Sequence, residues 1–146
     1  MADVFSKRKR SQVMASIRST ETKLEIEVRK LLFSEGFRFR KNSKSLPGKP
    51  DIVLSRYKTI IFVNGCFWHG HNLCKYAVTP KTNKKFWIDK IKSNIARDKQ
   101  KKTELNKLGW KVITIWECEI KKLFGENSAA RLKLVNSIKK NRLAIF

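Results

Sequence analysis

The chain is strongly basic and has the length of one domain. It has 146 residues, with 34 Lys and Arg against 12 Asp and Glu, which gives a formal net charge of +22. A soluble surface needs a net charge of only about 2–8 units, so the excess predicts a polyanionic partner, most simply nucleic acid. The absence of a long apolar run or secretory signal argues against a membrane role, and we expect an intracellular protein. An odd number of cysteines, three, argues against a disulfide framework.

The N-terminal segment, residues 1–20, is basic and polar, with Lys7-Arg8-Lys9-Arg10 near its start. Its apolar residues are too few to stabilise an independent helix. A disordered arm and an arm that orders on phosphates both fit this pattern, and in the second Met14 could act as an apolar wedge. We therefore expect a basic DNA-binding arm over residues 1–20 and one folded domain over residues 21–146.

A helix is predicted over about Thr22–Glu35, and Gly36 is well placed to end it. Its apolar residues recur at helical spacing: Leu24, Val28, Leu31 and Leu32. Thr22 and Glu25 also fit a capping box, which would give Glu25 a purely structural role. Glu25 is ambiguous on this basis, and the capping role is favoured.

Three strands follow. Phe37–Arg40 alternates as a half-buried strand does, and Pro50–Leu54 and Ile60–Val63 read as the two strands of a hairpin. Since the start of one hairpin strand lies near the end of the other, this pairing predicts that Asp51 lies beside Asn64.

The second half of the chain predicts a helix over about Lys84–Lys107, a strand over Lys111–Trp116 and a short C-terminal helix that contains Leu132, Val135 and Ile138. Asp98 continues the apolar face of the long helix, so its carboxylate either pairs internally or points at a functional site. The order predicts an α/β or α+β domain with a mixed sheet covered by helices.

The loop after the Ile60–Val63 strand is rich in metal-binding side chains. Cys66, His71 and Cys74 are close enough in sequence to form half of a metal site. Cys118 follows a strand that could run beside the Ile60–Val63 strand. Three sulfurs and one imidazole suit tetrahedral zinc. Four ligands leave no open position, so we expect a structural zinc ion, with unconnected free thiols as the alternative.

The remaining histidine and an aspartate are candidate catalytic residues. His69 is not needed for zinc, and its imidazole titrates near neutrality, which suits a general base acting on water. A solvated loop histidine is the alternative. Asp51, at a strand start, is typical of a nuclease carboxylate that binds Mg²⁺, which would polarise a scissile phosphate.

Two aromatic residues stand on the same loop. Phe67 and Trp68 have no evident core to fill, because small and polar residues flank them, and stacking on bases would stabilise a complex by about 1–3 kcal/mol each. Trp87 could join them, although a place in the core of its helix explains it equally well.

These residues together resemble the very short patch repair (Vsr) endonucleases, which nick DNA beside T:G mismatches. The resemblance covers roughly residues 5–120. The matching segments are Met14, the helix with Glu25, Leu46–Asp51, Gly65–His69, Phe86-Trp87, Asn94–Asp98, Gly109-Trp110 and Trp116–Cys118.

The resemblance implies a restriction-endonuclease-like fold and a nuclease domain over residues 21–146. It implies that Asp51 and the main-chain carbonyl of Val63 bind catalytic Mg²⁺. His69 would be the base, with Glu25 and Asp98 ordering water on that metal. It assigns zinc to the four residues named above, in agreement with the ligand count.

The resemblance also implies a wedge of Phe67, Trp68 and Trp87 entering from the major groove, with Met14 opposite. Position 64 is Asn where some relatives carry His, so only hydrogen bonding remains to Asn64. Mismatched double-stranded DNA would be the substrate of a monomer acting in the bacterial cytoplasm, on the nucleoid, with mismatch-repair proteins as potential partners. A restriction-type endonuclease and a non-catalytic zinc module that binds DNA are the alternatives.

Overall fold

The computed structural model describes residues 23–41, 43–72, 74–75, 77–125 and 128–141. The predicted arm over residues 1–20, with Met14, lies outside this part of the chain, as does Thr22 of the predicted capping box. The described part contains four helices and four strands, with one 3₁₀ turn at Ser55–Tyr57. In chain order they are α1 Lys23–Ser34, β1 Arg40–Lys41, β2 Ile52–Leu54, β3 Thr59–Asn64, α2 Lys84–Lys107, β4 Lys111–Trp116, α3 Glu117–Leu123 and α4 Ala129–Lys139.

The strands form one mixed sheet in the order β1-β2-β3-β4. The first three pair antiparallel, and β4 runs parallel to β3 over six residues, from Thr59 opposite Lys111 to Asn64 opposite Trp116. Parallel pairing requires a crossover, and α2 supplies it. Because β3 and β4 run in the same direction, the loops that follow them emerge at the same edge of the sheet.

Both faces of the sheet are covered. One face packs against α1, α3 and α4, and its buried residues form the larger core cluster, in which Val28 and Leu32 of α1 meet Ile61 and Ile115. The opposite face packs against α2 only near its C-terminal end, where Leu105 is fully buried. Alternation of side chains along the strands explains this division. The predicted mixed sheet covered by helices is confirmed.

The end of α1 corrects the predicted first strand. Gly36, at φ +90°, ends the helix, and the N–H groups of Gly36 and Phe37 donate to the carbonyls of Phe33 and Leu32, each at 3.0 Å. This is a Schellman motif, which places Phe37 against the core. Its N–H is therefore committed to the helix, so the strand predicted to begin at Phe37 begins only at Arg40.

The predicted bounds of α2 and β4 are confirmed, and the C-terminal helix is present as α4. Of the three apolar residues that predicted α4, Val135 and Ile138 are buried, whereas Leu132 is 61% exposed and Leu134 is buried in the core. A short helix, α3, begins directly after β4 and was not predicted from the sequence. None of the helices in the described ranges has the length and hydrophobicity needed to cross a membrane.

Candidate functional site

The loop after β3 is a series of tight turns held by its own main chain. The N–H groups of His69 and Gly70 donate to the carbonyls of Gly65 and Phe67 at 3.2 and 3.3 Å. The N–H of His71 donates to the carbonyl of Cys66 at 2.9 Å. These bonds give successive side chains different directions, so one short loop can serve two sites.

The first site is a cluster of the four predicted zinc ligands. The ligand atoms of Cys66, His71, Cys74 and Cys118 all lie within 4.8 Å of one another. His71 Nδ1 is 3.5 Å from Cys66 Sγ and 3.4 Å from Cys118 Sγ. Cys118 lies in the first turn of α3, so the cluster joins the loop after β3 to the element after β4.

The donor set fits zinc. Three sulfurs and one imidazole nitrogen converge, as in tetrahedral structural sites. In the protein alone, burial raises the pKa of the Cys66 thiol to about 12, and burial also raises the pKa of Cys118. Buried thiols of this kind bind as thiolates only when a cation compensates their charge, which couples metal binding to proton release.

Neighbouring groups fix the orientation of this cluster. The ring of His71 stacks on that of Trp116, with 4.1 Å between centroids and an 8° interplanar angle. The main-chain N–H of Cys66 donates to Glu117 Oε1 at 3.3 Å. Trp116 and Glu117 both lie at the junction of β4 and α3. The loop therefore contacts this junction through a ring stack and a hydrogen bond as well as through the cluster.

The second site begins with Asp51, directly before β2. Ile52 pairs with Ile61, so the register places Asp51 opposite Phe62, and Asp51 Oδ2 accepts a hydrogen bond of 2.7 Å from the main-chain N–H of Val63. Asn64, the predicted neighbour, is the next residue along the strand. Asp51 and Val63, the two residues that the resemblance assigns to Mg²⁺, are thus in direct contact.

Negative charge is concentrated around Asp51. The pKa of Asp51 is raised from 3.8 to about 7, with burial as the largest cause, and the N–H of Val63 opposes this shift. The carboxyl group of Glu25 raises the pKa further through its charge and a hydrogen bond, whereas His69 lowers it. Glu25 is only 3% exposed and its carboxyl group hydrogen-bonds with that of Asp51, so it faces this site. Two carboxyl groups in a half-buried site fit a hard divalent cation.

His69 is held by a carboxylate of α2. Its Nδ1 lies 2.6 Å from Asp98 Oδ2, and both side chains are half-buried. Because an ionised carboxylate can only accept, Nδ1 of the neutral imidazole carries the proton here and Nε2 is left as the acceptor. The two predicted alternatives for Asp98 therefore both hold, because it pairs internally with His69 and also faces the candidate site.

A cavity of about 350 Å³ extends from this pair along the sheet, between β3, β4 and α2. Asn64, which is 7% exposed, lies on its wall beside His69 and Asp98. Lysines of α2 line the other side: Lys99, Lys101 and Lys102.

The predicted wedge residues come together as an aromatic cluster. Phe67 lies 5.3 Å from Trp68 and 5.4 Å from Trp87, and the two tryptophan rings are 5.8 Å apart, all measured between ring centroids. Phe86 joins at 5.1 Å from Trp87 and is 60% exposed. The predicted wedge residue Met14 lies outside the described residues.

Two residues that support the loop, Asn94 and Gly70, were assigned no role from the sequence, although Asn94 begins one of the matching segments. Asn94 Nδ2 donates to the carbonyl of Trp68 at 2.8 Å. A methyl group at Gly70 would lie 2.6 Å from Ile95 Cδ1 and 2.7 Å from Ile91 Cγ2, so α2 approaches the loop main chain closely. The polar Asn94 between Ile91 and Ile95 was the available signal for the first contact. Gly70 gave no local signal.

The chain is a basic α+β domain with a Cys₃His cluster that could hold a metal ion. The nearby Asp51 and the His69–Asp98 pair are the kinds of group that a DNA-cleaving hydrolase uses. Residues 2–75 match the model of the family described as DNA mismatch endonuclease Vsr. The chain belongs to this family and is a Vsr-type DNA endonuclease.

Relatives with similar sequences agree with this assignment. The type II nicking enzyme V.NmeAIP of Neisseria meningitidis is 56% identical over 121 residues, which cover 83% of this chain and 86% of that one. The DNA mismatch endonuclease Vsr of Escherichia coli K12 is 40% identical over 136 residues, covering 91% and 86%. The type II nicking enzyme V.XorIIP of Xanthomonas oryzae is 44% identical over 123 residues, covering 84% and 90%.

The raised pKa of Asp51 predicts a pH-dependent stability without divalent cations. Its folded-state pKa of about 7 exceeds 3.8, so its contribution to stability is complete below pH about 4 and is lost as the pH rises through about 7. In EDTA, Asp51→Asn should therefore raise Tm by about 4–8 °C at pH 8 and by little at pH 4. The exposed Asp89→Asn is the matched control, and equal Tm values for wild type and Asp51→Asn at pH 8 would contradict the assignment.

The Cys₃His cluster predicts that Cys118→Ser releases zinc and loosens the loop. Wild type should contain about one zinc ion per chain, and the variant much less, with faster hydrogen exchange at the amides of residues 66–71. Elemental analysis and exchange mass spectrometry measure the two effects. Asp51→Asn is the control that should keep its zinc. If elemental analysis finds no zinc in purified wild-type protein, the cluster is not a zinc site.

Proposed function

We propose that the protein nicks one strand of double-stranded DNA at T:G mismatches, the product of 5-methylcytosine deamination. The reaction is Mg²⁺-dependent hydrolysis of the phosphodiester 5′ to the mismatched thymine, in very short patch repair. The observation that carries the proposal is the common location of Asp51 and the His69–Asp98 pair, close enough for His69 to influence the pKa of Asp51. The 40% sequence identity to the DNA mismatch endonuclease Vsr of Escherichia coli also supports the proposal.

Asp51, with the main-chain carbonyl of Val63, would hold the Mg²⁺ ion. When bound, Mg²⁺ polarises the phosphate and stabilises the leaving oxygen. Glu25 lies against Asp51, where it contributes a further carboxylate to the site. Asn64, on the cavity wall, can donate or accept a hydrogen bond but cannot transfer a proton.

His69 would act as the general base. Its Nε2 takes a proton from the attacking water while the water oxygen bonds to phosphorus, and Asp98 stabilises the resulting imidazolium. The bond from phosphorus to the 3′ oxygen breaks with its electron pair on that oxygen, which takes a proton from solvent and becomes the 3′ hydroxyl. The 5′-phosphate stays on the thymine, and the imidazolium returns its proton to solvent.

The aromatic cluster would supply mismatch preference. Phe67, Trp68 and Trp87 lie within 6 Å of one another as ring centroids, and they would insert between base pairs from the major groove. A T:G wobble pair is easier to unstack than a Watson–Crick pair, so insertion costs least at the mismatch. Zinc in the Cys₃His cluster would hold the loop that carries two of these rings.

The net charge of +22 supports binding to the DNA backbone by counterion release. We assign residues 1–20 to a DNA-binding arm with Met14 as the opposing wedge, and residues 21–146 to one nuclease domain. The protein would act as a monomer in the bacterial cytoplasm, associated with the nucleoid, and mismatch-repair proteins are proposed as partners.

A nicking assay on three duplexes of one sequence, with T:G, T:A or C:G at one position, tests the proposed function. Wild type with Mg²⁺ should yield nicked product, cut in the T strand, from the T:G duplex alone, and Asp51→Ala should bind this duplex without cutting it. Linear product from paired duplexes would instead indicate a restriction-type enzyme. Binding without cleavage by wild type would indicate a non-catalytic zinc module.

The His69–Asp98 pair predicts that Asp98→Asn slows cleavage by about 100- to 10,000-fold at saturating DNA, because the amide no longer fixes the tautomer with Nε2 free. Single-turnover rates on the T:G duplex measure the effect. Asp89→Asn, an exposed change of equal charge on the same helix, should leave the rate within about threefold. Equal rates for the two variants would contradict the role of His69 as base.

A further inference from the structure

Lys101 packs against the turn that leads to Asp51. Gly48, three residues before Asp51, has φ +80° and leaves room for the lysine side chain. A methyl group at Gly48 would lie 2.6, 3.0 and 3.2 Å from Cδ, Cγ and Cβ of Lys101. The aliphatic stem therefore packs on the turn from Cβ to Cδ, and the ammonium group lies beyond this contact.

The side chain also lines the cavity that contains the candidate catalytic groups. Lys101 is half-buried and shares this cavity with Asn64, His69 and Asp98. Of the three lysines on this wall, Lys99 and Lys102 are exposed. Of these three lysines, Lys101 is the one whose aliphatic stem packs between α2 and the turn that precedes Asp51.

No carboxylate in the described part of the chain forms an ion pair with Lys101. Asp98, the acidic residue on the cavity wall, lies 2.6 Å from His69 Nδ1 and is committed to it. A partly desolvated cation is costly unless an anion or acceptor compensates it. Within the described residues, Lys101 is thus a positive charge beside the candidate catalytic groups without a carboxylate partner.

We propose that Lys101 binds a phosphate of the cleaved strand, next to the scissile one, and so fixes the register of that strand over Asp51. The inference rests on the proposed endonuclease function and assigns to it a specific backbone contact. A phosphate oxygen supplies the charge-assisted hydrogen bond that the ammonium lacks. Since a flanking phosphate does not react, this contact stabilises bound substrate and transition state equally.

Lys101→Met tests the proposal, because methionine keeps the packing on Gly48 and removes the charge. We expect the Kd for the T:G duplex, measured in EDTA, to rise about 10- to 100-fold. The slope of log K against log salt should become shallower by about 0.9. The cleavage rate at saturating DNA should change less than about threefold, since uniform binding is lost, and Tm should not fall.

Lys107→Met removes the same charge from the last turn of α2, away from the cavity lining, and should leave Kd within about twofold of wild type. Lys101→Arg restores the charge and should recover most of the affinity. Equal Kd values for the Lys101→Met and Lys107→Met variants would overturn the proposal, as would a loss of Tm that Lys101→Arg does not repair. Because binding is measured separately from nicking, the two proposals can fail separately. Wild type that binds the duplex but never nicks it refutes the proposed function. Wild type that nicks the duplex while Lys101→Met has an unchanged Kd refutes this inference alone.

Discussion

The convergence of three sulfurs and one imidazole determines where the other functional groups lie. Cys66, His71 and Cys74 come from one loop, and Cys118 comes from the helix after the neighbouring parallel strand. Six paired residues of β3 and β4 bring these segments to one edge of the sheet. A metal ion at the cluster would turn this proximity into a fixed connection, because each bond to zinc constrains a ligand side chain.

The loop held in this way lies between two supports. On one side it meets the β4–α3 junction through the cluster and through the stacking of His71 on Trp116. On the other side α2 supports it through Asn94 bonded to the carbonyl of Trp68, through Asp98 bonded to His69, and through close packing at Gly70. The imidazole and the aromatic rings therefore take their positions from elements that flank them, as preorganised catalysis requires.

Local sequence predicted most of the fold, because strong periodicity marks elements such as α2 and β4. It failed at Phe37, whose N–H is used to end α1, and at α3, a seven-residue helix too short for a periodic signal. The Cys₃His cluster could be predicted from residue type, from the short spacing of Cys66, His71 and Cys74, and from the place of Cys118 after a strand. Glu25 and Asp98 could not, since their roles depend on contacts with Asp51 and His69 made across the fold. Lys101 gave no signal at all in a chain with 34 basic residues.

We propose that the Cys₃His cluster holds His69 beside the cation site proposed at Asp51. Paramagnetic relaxation by Mn²⁺, read out on the imidazole signals of ¹⁵N-histidine-labelled protein, measures this proximity directly. The account predicts that Mn²⁺ broadens the His69 signals strongly in zinc-loaded wild type, and that the effect is lost in Asp51→Asn and reduced after zinc is removed. His69 signals that stay sharp at saturating Mn²⁺, or that broaden equally with and without zinc, would contradict it.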